Sequence, residues 1–199
     1  MVLTPSTMAA LGSAAPDFDL PDVLGRGRYR LADTRDVQAL LVMFICRHCP
    51  YVQHIKEELA RLEKDYRAKS LAIVAISSND AVKYPDDSPK SLAAFAAECG
   101  YEFPFLYDES QSVAKSYTAA CTPDFFLYDG SRRLFYRGQL DDSRPGNGKP
   151  VTGSDLRAAI DAVLAHGAPP ATQRPSVGCN IKWRPGQEPS YFGSGATKA

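Results

Sequence analysis

Two cysteines separated by two residues, Cys46 and Cys49, are the side chains best suited to chemistry in this chain of 199 residues. A C-x-x-C pair can alternate between two thiols and a disulfide, or it can supply two sulfur ligands to a metal. On a first helical turn, the two Cα atoms fall within the roughly 4.4–6.8 Å that a disulfide requires. The spacing therefore predicts a pair that opens and closes with little backbone movement.

The residues between the two cysteines favour an ionised Cys46. Arg47 is permanently cationic, and His48 can be protonated near neutral pH. A cation beside a thiol lowers its pKa because it stabilises the thiolate. We therefore expect Arg47 and His48 to tune Cys46, which attacks from an exposed helix start, while Cys49 resolves the mixed disulfide. The alternative is that both side chains are solvated and nearly inert.

The pair lies between a predicted buried strand and a predicted helix. The unbroken apolar run 40–45 is typical of a strand covered on both faces, and a second run, 71–76, completes a β–α–β unit. Between them, apolar residues recur at helical spacing from about residue 50 to residue 68. Backbone N–H groups at the helix start favour a thiolate, and the loop 77–80 is expected beside Cys46. The residues that share the apolar helix face are Val52, Ile55, Leu59, Leu62 and Tyr66.

Three further stretches, together with the C-x-x-C, resemble one protein family. They are residues 15–22 (APDFDLPD), 76–80 (ISSND) and 122–127 (TPDFFL). They are similar to the thioredoxin-like superfamily and to its redoxin branch, which includes the alkyl hydroperoxide reductase/thiol-specific antioxidant proteins. The Cys-x-His-Cys-Pro form and residues 178–183 resemble the peroxiredoxin-like subgroup. The resemblance covers about residues 13–184.

The resemblance implies an α/β, thioredoxin-like fold, with a central mixed sheet flanked by helices, an N-terminal hairpin extension and a C-terminal tail. It also implies a role for Thr122 and Pro123. In such proteins a cis-proline loop lies against the C-x-x-C, and the backbone of the residue before the proline pairs with an extended substrate peptide. Thr122 and Pro123 are therefore expected to form a substrate platform.

Two departures from the family patterns bear on the activity. The Pro-x-x-x-Thr/Ser-x-x-Cys pattern of peroxiredoxins is absent, because Met43 and Ala39 stand at its two positions before Cys46. No carboxylate lies in the range 37–45, where a buried proton acceptor would be expected. Proton transfer for Cys49 is therefore expected to involve water or His48.

Composition limits the partners and the compartment. The 23 Lys and Arg residues balance 23 Asp and Glu residues, which gives no electrostatic reason to expect nucleic acid or a membrane. We expect protein or low-molecular-weight thiols and disulfides as partners, and no cofactor; the oligomeric state stays open. The start lacks the features of a leader peptide and no apolar run reaches membrane length, so we expect a cytoplasmic protein. In a reducing compartment such as the cytoplasm, a chain with five cysteines is expected to use its C-x-x-C pair for redox chemistry or for metal binding.

The chain is predicted to divide into a mobile segment 1–12, a redoxin domain 13–167 and a proline- and glycine-rich tail 168–199. Apolar residues in the tail predict docking to about residue 183 and fraying after Gly193. Cys179, in the docked part, is a candidate for a further redox thiol or simply a packing cysteine. Cys121, close to the platform, is a second such candidate. Cys99 lies on the apolar face of a predicted helix and is expected in the core.

Three functions are compatible with these residues. A thiol–disulfide oxidoreductase needs only Cys46, Cys49 and the platform, and the sequence favours it. A thiol peroxidase with Cys46 as the peroxidatic cysteine needs an anion-stabilising pocket, for which Arg47 or Arg137 is the candidate. A metal-binding protein would use Cys46, Cys49 and a histidine, although only two or three ligands are apparent.

Overall fold

The computed structural model describes the backbone of residues 2–193 and 197–198 and the side chains of residues 3–193. None of the helices in that part of the chain is both long enough and apolar enough to cross a membrane. The helices are α1 (Pro50–Tyr66), α2 (Pro89–Cys99), α3 (Ser112–Ser116) and α4 (Ser154–Leu164), with short 3₁₀ turns at Leu31–Thr34 and Pro85–Asp87. The strands are β1 (Val2–Pro5), β2 (Asp19–Pro21), β3 (Arg28–Arg30), β4 (Ala39–Phe44), β5 (Leu71–Ser77), β6 (Phe105–Tyr107), β7 (Cys121–Thr122), β8 (Asp124–Asp129), β9 (Leu134–Gly138), β10 (Val177–Asn180) and β11 (Thr197–Lys198).

The central sheet has five strands in the order β6-β5-β4-β8-β9. β5 runs parallel to both β4 and β6, whereas β8 is antiparallel to both β4 and β9. The sheet is therefore mixed, and α1 is the crossover that the parallel strands β4 and β5 require. These features confirm the predicted α/β architecture and the β–α–β unit around the cysteine pair.

Strand β4 is apolar at every position because both faces of the sheet are covered. Successive side chains of a strand point to opposite faces. Leu41 and Met43 pack with residues of α1, α2 and α4 on one face. Leu40 and Val42 pack with residues of α3 and with Ile181 of the tail on the other face. The strand that leads to the cysteines is thus held rigidly from both sides.

Helix α1 begins after the cysteines rather than with them. Cys49 is the N-cap, with an extended backbone (φ −73°, ψ 122°), and Pro50 is the first helical residue. Proline disfavours the helical conformation of the residue before it. The prediction that both cysteines lie on the first helical turn is therefore wrong. The predicted apolar face is confirmed, since the structure buries Val52, Ile55, Leu59, Leu62 and Tyr66.

The N-terminal region contains both an expected and an unexpected element. The predicted hairpin is present as the antiparallel pair β2 and β3. However, residues 2–5 form β1, which pairs antiparallel with β10, whereas the sequence predicted a mobile segment through residue 12. The partner of β1 lies at the other end of the chain, so no local pattern reveals the pairing.

The tail docks on the domain through the predicted segment. Strand β10 lies between β1 and β7. Ile181 and Trp183 are buried in the cluster on the α3 side of the sheet, and the Tyr191 ring contacts the Trp183 ring with centroids 6.4 Å apart. The predicted fraying after Gly193 falls largely on residues 194–196 and 199, which lie outside the described residues. Residues 197–198 form β11, which pairs with β1.

Candidate active site

Cys46 and Cys49 lie in the loop that joins β4 to α1. The N–H of Ile45 still bonds to the carbonyl of Ile76 in the central sheet, at 3.0 Å, so Cys46 directly follows the rigid strand. The two cysteines are 1% and 0% exposed. The sequence predicted an exposed Cys46, and the structure corrects this. A substrate disulfide can reach either sulfur only after a covering group moves.

The loop at Thr122 and Pro123 lies against the cysteine pair, as predicted. The peptide bond between these two residues is cis. The Cys46 Sγ is 3.4 Å from the Thr122 Oγ1, and the Cys49 Sγ is 3.1 Å from the Thr122 carbonyl oxygen. Both sulfurs therefore contact one residue, through its side chain and its backbone respectively.

The backbone edge of Thr122 is occupied by the tail of the same chain. Strands β7 and β10 pair antiparallel, with Cys179 opposite Thr122. A Cβ at Gly178 would overlap the Thr122 carbonyl, so only glycine permits this approach of the two backbones. The expected platform for a substrate peptide is thus covered in this structure. The sequence pattern could not show this, because the tail reaches the platform only through long-range pairing.

Cys179 brings a third sulfur to the pair. It is 3% exposed, and its thiol is hydrogen-bonded to Cys49. Cys49 is therefore hydrogen-bonded to both Cys46 and Cys179. All five cysteines of the chain are described, and all are present as thiols rather than disulfides.

The three sulfurs differ in how readily they ionise. Burial raises the pKa of Cys46 well above its usual value. Hydrogen bonds from the thiols of Cys179 and Cys46, together with the backbone N–H of Val52 at the helix start, lower the pKa of Cys49. Burial opposes this ionisation, but the hydrogen bonds outweigh it. Hydrogen bonding to Cys49, followed by burial, raises the pKa of Cys179. The negative charge of the cluster thus belongs to Cys49, whereas the sequence predicted a Cys46 thiolate.

Arg47 and His48 interact with acidic partners of their own. An Arg47 guanidinium nitrogen lies 3.1 Å from a Glu98 carboxylate oxygen. The His48 Nδ1 bonds to the Asp87 carboxylate, and this contact raises the pKa of His48. The Asp87 charge contributes to the raised pKa of Cys46. The expected lowering of the Cys46 pKa is therefore not found: burial raises this pKa, and each cation is paired with an acid that the sequence did not connect with it.

Asp87 is the residue of the site that the sequence analysis missed. Its side chain is fully buried. In addition to its bond with His48, the carboxylate accepts hydrogen bonds from the backbone N–H of Arg47 at 2.9 Å and from the side-chain Nδ2 of Asn79 at 2.7 Å. Asn79 belongs to the loop 77–80, whose predicted place beside the cysteines is confirmed. The ligand atoms of Cys46, His48 and Asp87 all lie within 4.8 Å of one another. The only local signal for Asp87 was its place at the end of an acidic loop, which is also typical of an exposed turn.

Cys121 and Cys99 take no part in the cluster of three sulfurs. The Cys121 thiol donates to the Pro123 carbonyl at 3.5 Å, and burial raises its pKa well above the usual value. The structure therefore favours packing over the redox role that was one reading of Cys121. Cys99 is only half-buried, on α2, although it packs against the core.

Asp124 is a second buried carboxyl group near the loop. Burial raises its pKa to about 8. Its Oδ1 has no hydrogen-bond partner among the described residues. Asp124 therefore holds a proton near neutral pH, which is unusual for a carboxyl group.

Comparison with known proteins relates the chain to redox proteins. Residues 11–137 match the model of the AhpC/TSA family. The thiol-disulfide oxidoreductase ResA of Geobacillus kaustophilus is 30% identical over 129 residues, which is 63% of this chain and 67% of that protein.

Solved structures extend the likeness to nearly the whole chain. An uncharacterised conserved protein from Geobacillus kaustophilus is 52% identical, with a TM-score of 0.91 over 93% of this chain and 98% of that one. A hypothetical protein from Sinorhizobium meliloti is 55% identical, with a TM-score of 0.90 over 92% and 100%. A thioredoxin family protein from Chlorobium tepidum, at 16% identity and a TM-score of 0.60 over 78% and 99%, shares the fold. The chain therefore belongs to the AhpC/TSA family and has the predicted thioredoxin-like fold.

Proposed function

We propose that the chain is a thiol–disulfide oxidoreductase that uses Cys46 and Cys49 as a redox pair on protein or low-molecular-weight disulfides. The observation that carries the proposal is the convergence of both sulfurs on Thr122, at 3.4 and 3.1 Å. Two thiols held this close to one residue can form a disulfide with little movement. The name of the curated relative, a thiol-disulfide oxidoreductase, supports the same general redox function.

The first step is attack by Cys46 on the substrate disulfide. In the reduced protein the Cys46 thiol donates a hydrogen bond to the Cys49 thiolate. As the Cys46 Sγ attacks one substrate sulfur, its proton passes to Cys49, and the second substrate sulfur leaves as a thiolate. Cys49 thus accepts the proton of Cys46 in this step.

The second step closes the protein disulfide. The departing substrate thiolate takes the proton from Cys49, and the Cys49 thiolate attacks the Sγ of Cys46. The bond between Cys46 and the substrate breaks, and the substrate sulfur that was bound to Cys46 leaves as a thiolate, which takes up a proton from water. The two electrons that reduce the substrate come from the cysteine pair alone, so the reaction requires no cofactor. We propose that it takes place in the cytoplasm, which cell fractionation tests.

Trapping tests the assignment of the two cysteines. Cys49→Ser should accumulate a mixed disulfide at Cys46 with hydroxyethyl disulfide as substrate, because the second step is lost. Mass mapping identifies the cysteine that carries the adduct. Cys99→Ser is the matched control and should turn over like the wild type. A stable adduct on Cys49 in Cys46→Ser, with none on Cys46 in Cys49→Ser, would reverse the roles.

Activity tests the function itself. Reduced wild-type protein should reduce hydroxyethyl disulfide and, with dithiothreitol as electron source, insulin. The double variant Cys46→Ser/Cys49→Ser should lose both reactions. Wild-type rates no higher than those of this double variant would refute the proposed function.

A metal-binding function is the second candidate, because Cys46, His48 and Asp87 have ligand atoms within 4.8 Å of one another. This set replaces the predicted Cys46, Cys49 and histidine. However, the Asp87 oxygens already accept bonds from His48 and from the Asn79 amide, so a metal would have to displace them. Metal content of protein purified under reducing conditions tests this candidate.

The observations favour a peroxidase less. Both candidate cations have other partners, since Arg47 pairs with Glu98 and Arg137 donates to the Gln173 side chain at 2.7 Å. Peroxide consumption by the reduced protein is the corresponding test.

A further inference from the structure

The positions of three sulfurs around one residue are the starting point. Cys46 and Cys49 contact Thr122, and Cys179 stands opposite Thr122 in the pairing of β7 with β10. The thiols of Cys49 and Cys179 are hydrogen-bonded to each other. Cys49 is therefore within reach of either neighbour, and it can form a disulfide with only one of them at a time.

Several contacts hold Cys179 at this position. On its other side, β10 pairs with β1, with Leu3 opposite Cys179. Beyond β10, the Lys182 N–H donates to the Asn79 Oδ1 at 2.8 Å, and the Asp80 N–H donates to the Lys182 carbonyl at 2.9 Å. The tail strand is thus fixed along both edges and at its end. The third sulfur is a built part of the site rather than a chance neighbour.

We propose that Cys179 is a third redox thiol, which takes over the disulfide from the Cys46–Cys49 pair by attack on Cys49. This inference rests on the proposed function, which supplies the Cys46–Cys49 disulfide. The Cys179 thiolate attacks the Cys49 Sγ, a Cys49–Cys179 bond forms, and the Cys46–Cys49 bond breaks. Cys46 leaves as a thiolate and takes up the proton that Cys179 gave up. The number of disulfides stays the same, so no further oxidant or reductant is needed.

The electrostatics of the cluster give the relay an order. In the reduced protein the charged Cys49 and burial raise the pKa of Cys179, so Cys179 stays a protonated thiol. Once Cys49 is part of a disulfide, its negative charge is gone, and this cause of the raised pKa disappears. Cys179 therefore becomes a better nucleophile only after the pair has been oxidised. The product disulfide ties the tail strand to the start of α1 and returns Cys46 to the thiol form.

Time-resolved disulfide mapping tests the relay. Reduced wild-type protein is mixed with one equivalent of hydroxyethyl disulfide, quenched with acid at intervals, alkylated and digested for mass spectrometry. We expect the Cys46–Cys49 peptide first and the Cys49–Cys179 peptide later. Cys46→Ser, treated with diamide, should form the Cys49–Cys179 disulfide directly. Cys99→Ser should behave like the wild type in both measurements.

The outcomes separate this inference from the proposed function. A wild-type protein that forms only the Cys46–Cys49 disulfide, with Cys179 recovered as a thiol after unfolding, would overturn the relay and leave the oxidoreductase intact. A wild-type protein that forms no intramolecular disulfide and consumes no hydroxyethyl disulfide would overturn both. The wild-type experiment decides the question even if Cys46→Ser fails to fold.

Discussion

Replacement of His48 is the most direct test of how the site sets the reactivity of Cys46. His48→Gln removes the imidazole that neutralises Asp87 and leaves a buried carboxylate beside the thiol. An unbalanced negative charge opposes formation of a second one nearby. We therefore expect the pKa of Cys46 to rise, which would slow its reaction with disulfides and alkylating agents at neutral pH.

The size of the effect follows from the distance between the groups. The ligand atoms of His48, Asp87 and Cys46 lie within 4.8 Å of one another. At this separation and an effective dielectric constant of about 20, Asp87 and a Cys46 thiolate repel by about 3.5 kcal/mol, or about 2.5 pKa units. The backbone N–H of Arg47 and the Asn79 amide still bond to the carboxylate and offset part of its charge. We expect a rise of about 1–2 units.

Two further variants isolate the charge from other consequences of the change. Asp87→Asn should lower the pKa of Cys46, because the negative charge is absent. The double variant His48→Gln/Asp87→Asn should have the same Cys46 pKa as Asp87→Asn alone. Without Asp87, the His48 side chain is already neutral at the pH where the thiols titrate, so its removal changes no charge. His54→Gln is the matched control, because His54 bonds to Ser143 instead.

The assay is the rate of alkylation of Cys46 by iodoacetamide as a function of pH, with the modified site identified by mass spectrometry. The thiols titrate together, so the midpoints are compared between variants rather than assigned to one group. An unchanged or lower midpoint in His48→Gln would refute the reasoning. If the midpoint rises equally in His48→Gln/Asp87→Asn, the effect comes instead from the lost stacking of His48 on Tyr84, whose ring centroids are 5.6 Å apart.

Three further predictions concern stability and access. Asp124→Asn should gain stability relative to the wild type as pH rises from about 4 to about 8. Burial raises the pKa of Asp124 to about 8, so in this range only the unfolded wild type releases the proton and the folded wild type is destabilised. Urea midpoints of the two proteins that change in parallel with pH would contradict this. Gly178→Ala should speed alkylation of the cysteine pair and lower the urea midpoint, because its Cβ overlaps a backbone carbonyl, whereas Gly186→Ala, with open space around it, should not speed alkylation. The contact with Asp87 raises the pKa of His48 and so stabilises the folded protein. The stability lost in Asp87→Asn should therefore be largest below about pH 6.5 and should shrink as pH rises through the folded-state pKa of His48. An equal difference in urea midpoint between variant and wild type at low and at high pH would argue against this prediction.

Much of the fold follows from local sequence patterns. An apolar residue at every position of β4 indicates that both faces of this strand are buried, and apolar residues at helical spacing indicate the buried face of α1. Both elements are present as predicted. The start of α1 near residue 50 was predicted, but the cysteines were wrongly placed on its first turn, because Pro50 disfavours the helical conformation of the residue before it. The pairing of β1 with β10 was missed, since two short strands at opposite ends of a chain carry no local signal of each other.

The site was predictable in its residues but not in its charges. Cys46, Cys49 and the Thr122–Pro123 loop could be found because spacing and resemblance mark them. The direction of the Cys46 pKa could not, because it depends on burial and on Asp87, which reaches the site from a distant loop. Arg47 follows Cys46 directly in the sequence, yet its guanidinium group pairs with Glu98.

The tail and a substrate peptide would compete for the same backbone edge. Strand β10 meets β7 at only two positions, Cys179 opposite Thr122 and Asn180 opposite Cys121, but it meets β1 at three. With about 0.5–1.5 kcal/mol for each backbone hydrogen bond, the contact with the platform is the weaker of the two edges. Local separation of β10 from β7 therefore costs less than release of the whole tail, because β1 can move with it. A peptide that pairs with Thr122 would have to exploit this opening, whereas a small disulfide needs only a gap beside Cys46. Cys179 is already hydrogen-bonded to Cys49, so the proposed relay needs no such opening, whereas pairing of a substrate peptide with Thr122 does.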